Sequence, residues 1–223
     1  MKNIWCVSRE WNGETCFIVA GGPSVAAQDT EALRGRRVIV INSSWRKVPF
    51  ADVLFFGDSR WFNHNYRDVV RDFAGRIVTA AGEVEHVRLL HMHKAPPPGL
   101  ADAPDTVMIR RTSSTAAINL AVHLGVARIV LLGLDGKPGP EGRTHHHAPH
   151  PWDLRHDCWR DQSADLASLV GPLQSRGVTV INTSLQSDIE FWPIVELNAV
   201  LNETDLCSRD VGTRGQHLSE AFC

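Results

Sequence analysis

Short, unbroken apolar runs alternate along the chain with longer amphipathic stretches. Cys16–Ala20 (CFIVA), Arg37–Ile41 (RVIVI), Ala51–Phe56 (ADVLFF), Arg76–Ala80 (RIVTA) and Arg128–Leu132 (RIVLL) are rich in Val and Ile and of strand length. They lack the in-out alternation of a half-solvated strand, which predicts burial on both faces, as in a parallel sheet. Val178–Ile181 predicts a last strand, and Val87–Met92 and Thr106–Ile109 two weaker ones on either side of the Pro96–Gly99 loop. Helices are predicted over Val25–Leu33, Trp61–Phe73, Ser113–Leu124, Cys158–Gln174 and Trp192–Leu201. In the third of these, Ala117, Leu120, Ala121 and Leu124 recur at helical spacing and Gly125 is a stop signal. Strands alternating with helices, joined by right-handed crossovers, predict an α/β fold: a mostly parallel sheet with helices on both faces. With no internal repeat and no linker, residues 1–201 read as one domain and 202–223 as a polar C-terminal tail.

The expected strand ends carry the chemistry. Four runs finish in small polar clusters: Gly21-Gly22-Pro23-Ser24, Asn42-Ser43-Ser44, Gly57-Asp58-Ser59 and Gly133-Leu134-Asp135, and the last strand ends in Asn182-Thr183-Ser184. In a parallel sheet these ends share one edge, where α/β folds bind their ligands. Gly21 and Gly22 allow close backbone approach, Pro23 suits a helix start, and Ser24 can cap or meet an anionic oxygen. A structural strand–turn–helix would carry the same residues. The loop is neither a Walker A sequence nor G-x-G-x-x-G, which disfavours a P-loop kinase and an ordinary NAD enzyme. The amide of Asn42 suits a base edge or a ribose, although turn asparagines are common. Asp58 and Asp135 suit a ribose hydroxyl or a divalent cation, with helix capping as the plainer role for each. Thr112-Ser113-Ser114-Thr115 opens a helix with more hydroxyls than one cap needs, which suits a phosphate.

The segment Arg143–His150 holds four histidines in six residues: His145, His146, His147 and His150. Such a cluster serves as a metal site, a general base or acid, or a stabiliser of a leaving phosphate. A solvated polar loop is the bland alternative, weakened by its position just after Asp135.

Composition narrows the picture further. No apolar run approaches the ~20 residues of a membrane span. Met1–Glu10 lacks the layout of a signal peptide, and the 5 cysteines form no C-x-x-C pair, so a cytoplasmic protein is expected. The net charge of -2 argues against broad electrostatic capture of nucleic acid.

Taken in order, these motifs resemble those of a known superfamily. Phe17–Val25 (FIVAGGPSV) is similar to the G-x-G-P-S-L motif shared by bacterial CMP-sialic-acid-dependent sialyltransferases, flagellin-glycosylation accessory proteins and archaeal 6-hydroxymethyl-7,8-dihydropterin diphosphokinases. Ser113-Ser114-Thr115, an apolar helix, Gly125 and Ile129–Asp135 resemble its second half, and Val40–Trp45 with the histidine segment resembles bacteriophage-encoded members. The resemblance covers roughly Cys16–Ser184 and implies a Rossmann-like nucleotide-binding domain. It places Gly22, Pro23 and Ser24 at the nucleotide phosphate, Asn42 at the nucleotide, Ser113 and Ser114 at the helix-start contacts, and a histidine of the 145–150 segment as general base. The chain departs from the pattern where Gly21 or Gly22 replaces a more usual Asn. Tyr66 is the sole tyrosine, so the family's leaving-group tyrosines have no match and sialic acid is disfavoured as donor.

The expectation is therefore a transferase with a nucleotide-activated donor, foremost a glycosyltransferase. Its catalytic set is His145, His147, His150 and Asp135, and its nucleotide contacts are Gly21, Gly22, Pro23, Ser24, Asn42, Asp58, Ser113 and Ser114. A divalent cation is an open component. The expected partners are the nucleotide donor and a small-molecule or sugar acceptor, with a modified nucleic-acid base as a minor branch. Two alternatives stand beside it: an ATP/Mg-dependent pyrophosphokinase with Asp58 and Asp135 on the metal, and a nucleotide-binding accessory protein without catalysis.

Overall fold

The computed structural model describes residues 2–152 and 158–204. The strands in chain order are β1 (Thr15–Val19), β2 (Arg37–Ile41), β3 (Val53–Phe56), β4 (Arg76–Thr79), β5 (Leu89–His91), β6 (His93–Ala95), β7 (Thr106–Met108), β8 (Arg128–Leu132) and β9 (Thr179–Asn182). Seven of them form one sheet in the order β5-β4-β3-β2-β1-β8-β9. Every pairing in it is parallel. The predicted α/β class is the observed one.

Alternation along the strands divides the core into two layers. Cys16, Ile18, Ile39, Ile41, Phe55 and Leu131 face one side, packed with Ala117, Leu120 and Leu124 of helix α2 (Ser113–Leu124). Phe17, Val19, Val38, Val40, Phe56 and Leu132 face the other, with Trp61, Phe62 and Val69 of helix α1 (Ser59–Asp72). The apolar runs are continuous because both faces are covered. Gly125 ends α2 in the left-handed region at φ 93°, where a side chain is disfavoured.

Four expectations are corrected. Val25–Leu33 forms two short 3-10 turns, Pro23–Ala27 and Thr30–Leu33, rather than a helix. Thr106–Met108 lies outside the main sheet and pairs with β6, a strand of His, Lys and Ala that has no apolar pattern to reveal it. Cys158–Gln174 is two helices, α3 (Cys158–Ala167) and α4 (Val170–Ser175). Pro172 explains the break, since its ring excludes the carbonyl of Ser168 from a continuous helix. The last helix spans residues 197–204, because Pro193 to Val195 runs extended beside β9: Asn182 N donates to Pro193 O (2.9 Å) and Val195 N to Asn182 O (3.0 Å). Residues 202–204 thus belong to that helix, and the rest of the expected tail lies outside the described residues.

Candidate functional site

The sheet order reverses at β1, which has β2 on one side and β8 on the other. Parallel sheets open a crevice at such a switch point, beyond the C-terminal strand ends. The Gly21-Gly22 turn leaves β1 there and Gly133-Leu134-Asp135 leaves β8 beside it.

The two turns interlock. Gly22 N donates to Gly133 O at 3.0 Å. A Cβ on Gly22 would lie 2.0 Å from Asp135 Oδ2 and 2.4 Å from Gly133 O, so only glycine fits. Asp135 is 7% exposed, and its Oδ2 accepts from Ser24 N at 3.2 Å. Burial raises its carboxyl pKa, against the hydrogen bonds of Ser24 and Ser184. Ser24 Oγ donates to Ser184 Oγ (2.9 Å), which also accepts from Leu134 N (3.1 Å). Asn182 Nδ2 bonds Leu134 O, and its Oδ1 accepts from Ser184 N. Asp135 and Ser24 therefore hold the turn in place. With Gly22 N and Ser24 N engaged and Pro23 lacking an N–H, Gly21 supplies the free amide of this loop among the described residues.

Asn42 opens the turn after β2 with φ 50°, in the left-handed region that Asn tolerates better than most residues. Its Oδ1 is buried without a hydrogen-bond partner. Buried polar atoms are nearly always paired, so this oxygen marks a place for a donor. Asp58 caps α1: its Oδ1 accepts from Arg60 N (2.8 Å) and its Oδ2 meets Arg60 Nη2 (3.1 Å). Burial pushes its pKa up, but the Arg60 side chain and the backbone amides outweigh that and hold it below the usual carboxylate value. Thr112 caps α2 through Ser114 N (3.2 Å), which leaves the Ser113 and Ser114 hydroxyls without a hydrogen bond among the described residues. Ser113 sits at the end of β3, since a Cβ on Gly57 would lie 3.1 Å from its Oγ.

The histidine segment folds back over the β1 turn. His146 N donates to Gly21 O at 3.1 Å. The Ser44 hydroxyl donates to Ala20 O (2.9 Å), so its lone pair accepts from His146 Nε2 (2.9 Å), which fixes that ring as the Nε2–H tautomer. His145, His147 and His150 turn toward one another, with ring centroids 4.7–5.1 Å apart. They are the one group of potential metal ligands among the described residues. His145 and His147 lie over Gly21, whose Cβ position is 3.1 Å from His145 Cδ2 and 3.8 Å from His147 Nε2. His150 stacks on Trp152 at 4.8 Å. Burial lowers all four pKa values, reinforced by the neighbouring imidazoles for His145 and by His147 and Lys47 for His146. Both His145 and His146 fall to about 4, so their rings are neutral at physiological pH. Among the described residues, a cavity of ≈ 450 Å³ is lined by residues 143–149 of this segment.

The strand-end reading thus gathers Gly21, Gly22, Ser24, Asp135 and the histidines at one place. Asn42 joins them through the Ser43-Ser44 turn. Asp58 and Ser113 stand at the neighbouring β3 end. Ser44 and Ser184, which anchor the histidine segment and the glycine turn, carried no sequence signal beyond the polar clusters that contain them.

No protein-family model and no curated protein matches the chain. Two solved structures resemble it. The MAf glycosyltransferase from Magnetospirillum magneticum AMB-1 aligns over 92% of this chain with a TM-score of 0.61 and 13% identity. The sialyltransferase CstII from Campylobacter jejuni, solved with the substrate analogue CMP-3FNeuAc, aligns over 83% of this chain and 87% of its own, with a TM-score of 0.47 and 11% identity. This chain spans 38% of the length of the MAf structure. At 13% identity the likeness to the MAf structure is one of fold.

Proposed function

We propose that this chain is a transferase with a nucleotide-activated donor, foremost a glycosyltransferase, and that its centre is the β1–β8 switch point under the histidine segment. The observation that carries the reading is the placement of neutral imidazoles directly over Gly21. A proton acceptor and the Gly21 amide, which has no hydrogen-bond partner among the described residues, thereby lie at the same strand end. A phosphate would be met by that amide and by the Ser113 and Ser114 hydroxyls, and the nucleoside by Asn42. An imidazole of the segment takes the proton of the acceptor hydroxyl as its oxygen bonds to the sugar carbon and the nucleotide leaves with the electron pair. Asp135 acts through the turn it holds. The fold shared with the MAf glycosyltransferase supports this assignment. The pyrophosphokinase alternative is weakened because Asp58 is committed to α1 and Arg60, and Asp135 to Ser24.

The test is a thermal-shift screen against CMP, UDP, GDP, ADP, ATP and their sugar conjugates, followed by turnover assays with the best ligand. A nucleotide at ~100 times its Kd stabilises by about 2.7 kcal/mol. Replacing His145, His146, His147 and His150 with Gln should lower turnover roughly 10²–10⁴-fold while nucleotide affinity holds. A chain that no nucleotide stabilises contradicts the proposal. One that binds nucleotide but turns nothing over is an accessory protein.

A further inference from the structure

The histidine segment sorts its rings into two sets. His146 turns down to Ser44 and is spent on holding the segment against β1 and β2. His145, His147 and His150 turn the other way, and their candidate ligand nitrogens all lie within 4.8 Å of one another. We infer that these three side chains, in the spacing H-x-H-x-x-H, form an open site for a zinc-class divalent transition ion seated over the Gly21 turn.

Three features carry this. The first is the orientation of lone pairs. His147 Nδ1 lies 2.8 Å from Ala148 O, which can only accept, so Nδ1 carries the proton and Nε2 the lone pair. His145 Nδ1 is engaged by Thr144 Oγ1 at 2.9 Å, leaving its Nε2 without a hydrogen bond among the described residues. Both Nε2 atoms flank one point, 3.9 Å and 3.8 Å from the Cβ position of Gly21. Ligating histidines characteristically have the second nitrogen held in this way. The second feature is support from behind. Trp152 stacks on His150 with planes 5° apart, and His64 packs edge-on against the same indole at 5.9 Å. The third is ligand type. Three imidazoles without a carboxylate select Zn²⁺, Co²⁺, Ni²⁺ or Cu²⁺ over Mg²⁺ or Ca²⁺.

Zinc–imidazole bonds at tetrahedral angles place ligand nitrogens about 3.4 Å apart, so the rings need to draw in by roughly 1 Å. Three protein ligands leave a fourth position for water or a substrate oxygen. His145 and His147 sit over Gly21, at the strand end assigned above to the donor. An ion held by these rings would take up the lone pairs assigned above to proton transfer and would supply instead a bound water of lowered pKa. The metal site itself does not depend on the transferase reading.

The experiment uses the tag-free full chain, stripped with chelator and titrated calorimetrically with Zn²⁺ and, by visible absorption, with Co²⁺. The expected result is one ion per chain, a rise in Tm on loading, and cobalt bands of a four- or five-coordinate nitrogen–oxygen site. His147→Ala and His150→Ala should each weaken binding roughly 100-fold or more. His123→Gln, on the far end of α2, should leave it unchanged. Circular dichroism of the stripped variants checks that each is folded. Millimolar or non-stoichiometric binding, or folded His147→Ala and His150→Ala chains that bind like the parent, overturns the site. Nucleotide binding by the stripped chain reports on the transferase reading separately, so the two fail independently.

Discussion

Two adjacent glycines meet different neighbours, and that difference makes them separable. Gly22 faces backbone and a carboxylate: an added methyl would lie 2.0 Å from Asp135 Oδ2 and 2.4 Å from Gly133 O. Neither can withdraw without opening the β1–β8 interlock. Gly22→Ala should therefore lose about 1–3 kcal/mol of stability, as overpacked sites do. Gly21 faces movable imidazoles, with His145 nearest at 3.1 Å and His147 at 3.8 Å. Gly21→Ala should melt within a degree or two of the parent and yet lose turnover, because it displaces the imidazoles. Differential scanning fluorimetry on both variants decides this, and equal melting losses would refute the distinction. Asp135 is the second test at this scale. Asp135→Asn keeps an oxygen for Ser24 N and should nearly preserve melting, whereas Asp135→Ala strands that amide at a cost of about 1–3 kcal/mol. If the Asn variant melts as low as the Ala variant, the carboxylate charge has a role beyond holding the turn. The sequence showed these residues as candidates but not their roles. A strand-end Asp looks the same whether it binds a cation or a backbone amide, and the partner that decides it, Ser24, is 111 residues away.

At the scale of elements, legibility followed locality. Arg37–Ile41, Ser113–Leu124 and Arg128–Leu132 appear in the fold with the predicted bounds, since each carries a local signal, an unbroken apolar run or a helical period, and a clear stop. The 3-10 turns after β1 were not legible, because Ser24 is held by Asp135 from across the sheet rather than by helical neighbours. The start of α2 separates capping from binding. Thr112→Ala removes the bond to Ser114 N and should cost about 1 kcal/mol of stability. Ser113→Ala with Ser114→Ala removes two hydroxyls that bond nothing among the described residues. That double variant should melt like the parent and bind nucleotide more weakly, by roughly 1.5–3 kcal/mol where a charged phosphate is lost. Unchanged affinity for the nucleotide that stabilises the parent would remove α2 from the site.

For the whole molecule, the parallel sheet fixes the site before any side chain is placed. Strand order 5-4-3-2-1-8-9 leaves one switch point, and the long connection after β8 returns the histidines to it. The same fold also lowers the pKa of six histidines, which sets its response to acid. Burial lowers the pKa of His91, reinforced by Lys2 and opposed by Glu85. Burial also lowers that of His123, with Arg176 acting in the same direction and the Thr106 carbonyl, Asp102 and Asp105 opposing. The 145–150 histidines shift the same way. Above pH 6.5 both folded and unfolded chains are neutral at these rings, and stability is complete. Below it the unfolded chain binds protons that the folded chain refuses, so stability falls as pH falls, until the folded pKa values are passed. Tm measured from pH 8 to pH 5, with chelator present, should therefore drop on the acid side of 6.5. His123→Gln keeps a donor for Thr106 O, which His123 Nε2 now bonds at 2.8 Å, and cannot titrate. Its acid slope should be shallower than the parent's. A parent Tm that is flat across this range would show that the fold does not hold these rings neutral. A His123→Gln slope equal to the parent's would show that His123 is solvated and titrates as in the unfolded chain.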